Sequence, residues 1–289
     1  MNDENTYDQK KYISGVYSRA ASDFGVDEPI SAIADFFGKR LVELIGIPEN
    51  SNVLDIAAGR GASLFPTINK VGQQGSVIGI DLADNMVKET MNDIVKRGYS
   101  NAKMIKMDAE NLEFGDNIFD IILCCLSIFF FPHYEIALNE AFRVLKPYGR
   151  IGISTFSRGS QASMGWQNAL NAKYLGMEHI KKEEFSNLLK MVKSFQRPEF
   201  TRAKGMQKIL TQTGFKDVHS EIVEKEFIYT NAEEWWQLLW ATGTRIFLEK
   251  ISSDNLVKLK GETFENFDKY SLEDGLHQTV KVLFTSGVK

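Results

Sequence analysis

Between residues 52 and 156, short apolar runs alternate with amphipathic stretches. The runs at about 52–58, 76–82, 102–108, 119–126 and 150–156 are apolar at nearly every position, which predicts strands covered on both faces. The stretches at about 61–72, 84–98 and 133–146 predict helices between them. Pro66 falls near the start of its helix, where a missing N–H costs little, and Lys146-Pro147-Tyr148-Gly149 stops the last helix before the fifth strand. The alternation predicts a doubly wound, mostly parallel α/β sheet. Farther along, Asp217 to Tyr229 and Thr279 to Thr285 alternate like strands, for seven in all.

The flanking segments read differently. Residues 1–9 are expected to be loose, with two helical segments after them. In the second, Ile30, Ile33, Ala34, Phe37, Leu41, Leu44 and Ile45 form one apolar stripe, and Ile47-Pro48-Glu49-Asn50 ends it. Residues 158–200 look helical and irregular, 201–213 form a helix stopped by Gly214, and 231–277 form a helical insertion between the last two strands. Five parts are expected: N-terminal helices acting as a lid (1–50), a core (51–157), one helical cap insertion (158–200), closing strands (201–230 and 278–289) and a second cap insertion (231–277). In the second insertion Trp236, Leu239, Trp240, Gly243 and Phe247 share one helical face, fitting either core or a substrate wall.

A chain of 289 residues can bury an ample core. Net charge is −4, and Lys and Arg are scattered, which argues against a nucleic-acid partner held through phosphates. Cys124 and Cys125 are adjacent, and neighbours in a strand point to opposite faces, so they are poor disulfide partners. No metal-ligand spacing exists. The polar N-terminus lacks a signal-peptide pattern, and the longest apolar run, Ile121 to Pro132, is too short to span a bilayer. The expectation is a cytoplasmic protein with no stable membrane insertion; a homo-oligomer stays open.

The chemistry concentrates at the ends of the first strands. Val53-Leu54-Asp55-Ile56-Ala57-Ala58-Gly59-Arg60-Gly61 is a strand that runs into a turn with two glycines. Such glycines let the backbone approach a ligand and adopt unusual dihedrals. Val77-Ile78-Gly79-Ile80-Asp81 is a second strand ending in an acid placed to accept from two ribose hydroxyls. Nicotinamide and S-adenosylmethionine proteins both use that device. A dinucleotide turn needs a third glycine, where this chain has Leu64. Asp55, four residues before Gly59, instead suits a donor that carries an ammonium and a sulfonium and no phosphate.

With these motifs the chain resembles the class I S-adenosylmethionine-dependent methyltransferases, in the branch similar to ubiquinone/menaquinone-biosynthesis C-methyltransferases. Met107-Asp108-Ala109-Glu110, Phe119-Asp120 and the E-A-F-R-V-L-K-P-Y-G-R run from Glu140 to Arg150 extend the likeness. The resemblance implies a Rossmann-like methyltransferase fold and S-adenosylmethionine as donor, with S-adenosylhomocysteine as product. It implies that Ala57, Gly59 and Gly61 line the methionine part, that Asp81 holds the ribose, and that Leu82 and Met86 pack on the adenine. Asp108 is then expected to accept from the adenine amino group and the Ala109 amide to meet a ring nitrogen. Cys125 should lie beside the donor's amino end, and Tyr17 should close over it. In departures from the family pattern, Ala57 stands for a common glycine, Arg60 for a small or hydroxyl residue, and Tyr148 for the first glycine of a usual pair.

The acceptor would be a small, partly apolar molecule, methylated on O, N or C by in-line displacement. Ile128-Phe129-Phe130-Phe131-Pro132 could pave its site or simply pack a loop. If a base is needed, His277 is the first candidate and His133 the second; His219, mid-strand, reads as structural. Two other readings stand beside this one: a nicotinamide-dependent oxidoreductase, and a non-catalytic S-adenosylmethionine-binding protein.

Overall fold

The computed structural model describes residues 3–22, 31–160, 165–175 and 197–289. Seven strands form one sheet: β1 Asn52–Ile56, β2 Ser76–Asp81, β3 Ala102–Lys106, β4 Phe119–Cys125, β5 Leu145–Phe156, β6 Lys216–Tyr229 and β7 Leu276–Val288. Their order is β3-β2-β1-β4-β5-β7-β6. The first five run parallel, and β7 pairs antiparallel with both β5 and β6. The order therefore reverses between β1 and β4, the place where open α/β sheets bind ligands beyond their carboxyl ends.

Strand alternation divides the core. Leu54, Ile56, Ile122 and Cys124 face a layer containing α5 (Tyr134–Val144) and the helix Ala203–Thr213. Val53, Ile121 and Leu123 face α2 (Ala32–Ile45), α3 (Leu64–Val71) and α4 (Asp84–Lys96). Each apolar run is thus buried on both sides. Two glycines end their helices in the left-handed conformation, Gly46 after α2 and Gly214 after Ala203–Thr213.

Several boundaries shift, each for a local reason. Helix α1 (Asp3–Ala20) covers most of the stretch expected to be loose. A polar sequence lacks an apolar stripe, but its backbone extends a helix anchored farther on by buried Ile13 and Val16. Strand β1 stops at Ile56 because Ala57 turns to φ 53°. Strand β5 starts at Leu145, five residues early, and absorbs Lys146–Gly149 through a register shift against β4, with Tyr148 at φ 62°. The expected helix 201–213 breaks at extended Arg202 into Pro198–Thr201 and Ala203–Thr213. Strand β7 begins at Leu276, before the expected Thr279, and so overhangs the carboxyl end of β5.

The second insertion folds as three helices, Ala232–Ala241, Arg245–Leu248 and Ser253–Tyr270. Trp235, Trp236 and Leu239 are buried in its own core, which α1 joins through Ile13 and Val16. The helix ends at Ala241, so the face expected to run from Trp236 to Phe247 is broken. Of the first insertion, the helix Gly165–Tyr174 is described. Residues 161–164 and 176–196 of the stretch expected to be helical, and Ile30 of the N-terminal stripe, lie outside the described residues.

Candidate active site

A cavity of about 1050 Å³ opens at the carboxyl ends of β1, β2, β4 and β5. Its roof comes from α1, the helix Gly165–Tyr174 and the second insertion. Tyr17, Ala57, Gly59, Asp81, Leu82, Met86, Asp108, Ala109 and Cys125 all line it.

Backbone geometry shapes the floor. The two central strands each end in a non-glycine residue with positive φ, Ala57 at 53° and Leu126 at 49°. Such conformations cost about 1–3 kcal/mol each and persist only where the surroundings fix them. Here Ala58 N donates to Ile80 O at 2.9 Å, and Leu126 N donates to Ser154 O at 3.1 Å. The two glycines of the turn have separate roles. Gly59 (φ 53°) lines the cavity, and a methyl group there would meet no protein atom within 4 Å. Gly61 (φ 87°) is off the wall, and a methyl there would stand 2.5 Å from the Phe65 ring.

Asp81 is fixed before any ligand arrives: Gly59 N donates to its Oδ2 and Ala83 N to its Oδ1, both at 2.9 Å. Burial raises its carboxyl above the ordinary carboxylate range against the pull of these bonds. Beside it, burial and the Asp81 charge push the Tyr17 phenol upward, so it stays a neutral hydroxyl. Asp108 accepts from Glu110 N at 2.9 Å and from Lys10 Nζ at 2.7 Å, and Lys10 also reaches Glu110 at 2.6 Å. Burial pulls the Lys10 ammonium down, and its hydrogen bonds to both acids outweigh that and raise it. The Ala109 N–H makes no hydrogen bond among the described residues.

Arg60, which sequence left without a role, fastens the turn to α1 and α4: its guanidinium donates to Ala21 O at the end of α1 and to Asp93 on α4. Ser18 meets Asn85 at the start of α4, and Arg19 pairs with Glu249 of the insertion. Helix α1 is therefore tied to both walls of the cavity along its length.

Asp55 lies beneath the turn and not on the wall. It is fully buried; its Oδ2 accepts from Ser63 Oγ at 2.8 Å, and its Oδ1 has no partner. Burial, partly offset by Ser63, pushes its carboxyl up to about 7. The folded chain holds that proton across pH 4–7 while the unfolded chain, titrating near pH 4, releases it. Stability is therefore present at the acid end and falls by roughly 4 kcal/mol as pH rises from about 4 through about 7. Asp81, Cys124 and Cys125 face the same group and contribute to the background. Thermal melts of ligand-free wild type and D55N between pH 5 and 8 check this. D55N should gain on wild type as pH rises; parallel profiles would contradict the assignment.

The expected histidine base does not meet the cavity. His277 lies on β7, but strand alternation points its ring the other way, to Asp274 (2.8 Å) and Glu226 (3.3 Å), which raise it. Its neighbour Gln278 is the residue on the wall. His133 is exposed at the start of α5 and is also off the wall. Cys125 is on the wall, but burial pushes its thiol up to about 12, so it remains protonated and inert. Among the described residues no group of His, Cys, Asp and Glu could hold a metal.

The opposite wall is aromatic. Tyr17 meets Phe130 edge-on at 5.1 Å, Phe130 lies 4.8 Å from Phe129, and Phe129 lies 5.9 Å from Phe156. Leu238 and Phe247 extend the apolar surface. The Ile128–Pro132 run is thus both core and wall: Ile128 is buried, while Phe129, Phe130, Phe131 and Pro132 border the cavity.

A parallel sheet closed by an antiparallel pair, with a glycine turn after β1 and an acid ending β2, defines the class I methyltransferase fold. The chain belongs to the ubiE/COQ5 methyltransferase family, whose pattern matches residues 5–228. That membership sets aside the nicotinamide reading and makes S-adenosylmethionine the donor of the family. Nocamycin O-methyltransferase of Saccharothrix syringae is 25% identical over 86% of this chain and 89% of its own length. Aklanonic acid methyltransferase DauC of Streptomyces sp. (strain C5) is 39% identical over 41% of this chain and 54% of its own. The ubiquinone/menaquinone biosynthesis C-methyltransferase UbiE of Azotobacter vinelandii is 37% identical over 43% of this chain. The chain spans about half the length of the last two relatives, 54% and 49%. Among solved structures, a SAM-dependent methyltransferase from Aquifex aeolicus superposes with TM-score 0.51 at 19% identity, covering 71% of this chain and 91% of that one. Phosphoethanolamine N-methyltransferase 2 of Haemonchus contortus, in complex with S-adenosyl-L-methionine, gives 0.52 at 19% identity, covering 87% and 52%. At that identity both likenesses speak for the fold alone. No described helix is long and apolar enough to cross a membrane.

Proposed function

We propose that this chain transfers a methyl group from S-adenosylmethionine to an oxygen, nitrogen or carbon of a small, partly apolar molecule. One observation carries the reading: a single cavity has a polar wall at the ends of β1 to β3 and an aromatic wall facing it. The residues fit the donor. Gly59 leaves room for close approach, Asp81 and Asp108 offer carboxylate oxygens at the rim, and Asp55 keeps an unpartnered oxygen beneath the turn.

Asp81 would accept from the ribose hydroxyls, with Leu82 and Met86 flanking the adenine. Asp108 would accept from its amino group, and the Ala109 N–H would donate to the ring. Ala57 and Gly59 would border the methionine part, and Asp55 would act through the turn by holding Ser63 beneath it. The donor supplies a methyl already activated on a sulfonium, so the chain chiefly positions the reactants and excludes water. Intramolecular models show that positioning alone reaches effective molarities on the order of 10⁵–10⁸ M. Tyr17, Arg60 and the ties along α1 would keep the site closed. Relatives named for nocamycin, aklanonic acid and ubiquinone/menaquinone biosynthesis support a small organic acceptor.

Isothermal titration tests the reading. S-adenosylhomocysteine should bind more tightly than about 1 mM, roughly −4 kcal/mol, and NAD should not. Binding of NAD with none of S-adenosylmethionine or S-adenosylhomocysteine would sink it.

A further inference from the structure

Every arginine of the described structure except two has a partner. Arg19, Arg40, Arg60, Arg143 and Arg245 form ion pairs. Arg150 donates to Ile45 O and Gly46 O, while Arg97 and Arg197 lie over aromatic rings. Arg158 and Arg202 have neither an ion pair nor a hydrogen bond from their side chains, and both line the cavity at its exposed rim.

The fold brings them together and holds them. Arg158 N donates to Thr201 O at 3.1 Å, next to Arg202, and Thr155 Oγ1 donates to Phe200 O at 2.6 Å. Ser157 N donates to Lys281 O at 2.8 Å, and Lys281 N donates to Ser160 Oγ at 3.0 Å. Three segments from separate parts of the chain are thus braced around the backbone of Arg158 and its neighbour Thr201, beside Arg202. A third free donor stands nearby on overhanging β7. Gln278 is buried on the wall, its Oε1 accepts from Tyr229 OH at 2.8 Å, and its amide nitrogen has no partner among the described residues.

Position separates this group from the donor wall. Arg158 follows the end of β5, two strands from β1, about 10 Å across the sheet. It lies two residues beyond Phe156 of the aromatic wall. Guanidinium groups match the oxygens of carboxylates and phosphates, and bonds to them are charge-assisted.

We propose that Arg158 and Arg202 form an anion clamp for the acceptor, which carries an apolar body against the aromatic wall and an oxyanion remote from the methylated atom. The inference rests on the methyl-transfer reading above and adds the acceptor's class, an apolar acid or phosphate ester. The clamp sets the register of the acceptor by fixing its charged end at the rim. The Gln278 amide then donates to a neutral oxygen along the body.

The test uses protein saturated with S-adenosylhomocysteine and three probes: 2-naphthoate, 2-naphthyl phosphate and uncharged 2-naphthamide. At least one anionic probe should bind ten-fold or more tightly than the amide, and which one does identifies the oxyanion. In R158Q/R202Q that preference should vanish, with amide binding and S-adenosylhomocysteine affinity unchanged. Equal affinity for all three probes, no binding of either anion at millimolar concentration, or a preference retained in the double variant would overturn the clamp. Ten-fold weaker S-adenosylhomocysteine binding in the double variant would also overturn it, by assigning the arginines to the donor. Loss of S-adenosylhomocysteine binding in the wild type would instead refute the methyl-transfer reading itself.

Discussion

Gly61→Val should unfold this protein at markedly lower temperature. Two costs add at one residue. The φ of 87° is open to glycine and strained for a β-branched side chain. The new Cβ would also stand 2.5 Å from Phe65 Cε2 and 2.7 Å from Cδ2. Phe65 cannot simply swing away, because it is 5% exposed, capped by the Arg97 guanidinium at 4.6 Å, and its N–H donates to Gly61 O. Strain and overpacking together come to about 3 kcal/mol or more, a fall of roughly 5 °C in Tm for a domain of this size. Gly59→Ala provides the contrast. Its methyl meets no protein atom, so the melt should move by about 1 kcal/mol in stability while donor binding drops. Equal melting of G61V and wild type would show that the turn tolerates what its geometry excludes.

The contrast matters because sequence presents the two glycines as one motif. The structure divides them into a wall position and a packing position, and only the Cβ environments reveal which is which. Asp55 is similar: its spacing before Gly59 suggests a place at the site, and the structure puts it on β1 beneath the turn. Its depth, and the single bond to Ser63, arise from α3 closing over it.

The central sheet was legible because each of its strands is a continuous apolar run with a two-sided burial pattern. The acids ending β2 and following β3 were legible for the same reason, as strand ends locate the binding edge. What sequence did not carry lies in longer-range geometry. Arg158 and Arg202 sit 44 positions apart and reach the same cavity with Arg158 N bonded to Thr201 O, next to Arg202. Gln278 is one residue from His277, and the choice between them is a matter of strand parity in β7, whose early start was not foreseen. Arg60 looked like a departure from a family pattern, and its partners, Ala21 O and Asp93, are distant in sequence. The overhang of β7 had a readable signal in retrospect: Leu276, Gln278, Val280 and Val282 share one parity, and all are buried.

We propose that this cavity holds a ribose-bearing methyl donor on Asp81. Its carboxylate is already held by Gly59 N and Ala83 N, and the remaining acceptor capacity faces the cavity. Asp81→Ala removes a carboxyl acceptor that would make two bonds to the ligand, a loss of about 1–3 kcal/mol, or roughly 5- to 150-fold in Kd. Asp81→Asn keeps the shape and one acceptor oxygen, so it should fall between. The most direct measurement is a calorimetric titration of S-adenosylhomocysteine into wild type, D81N and D81A, with folding checked by thermal melts. Affinity should fall in that order, with D81A weakened at least five-fold; equal affinity in a folded D81A would contradict a ribose contact at Asp81.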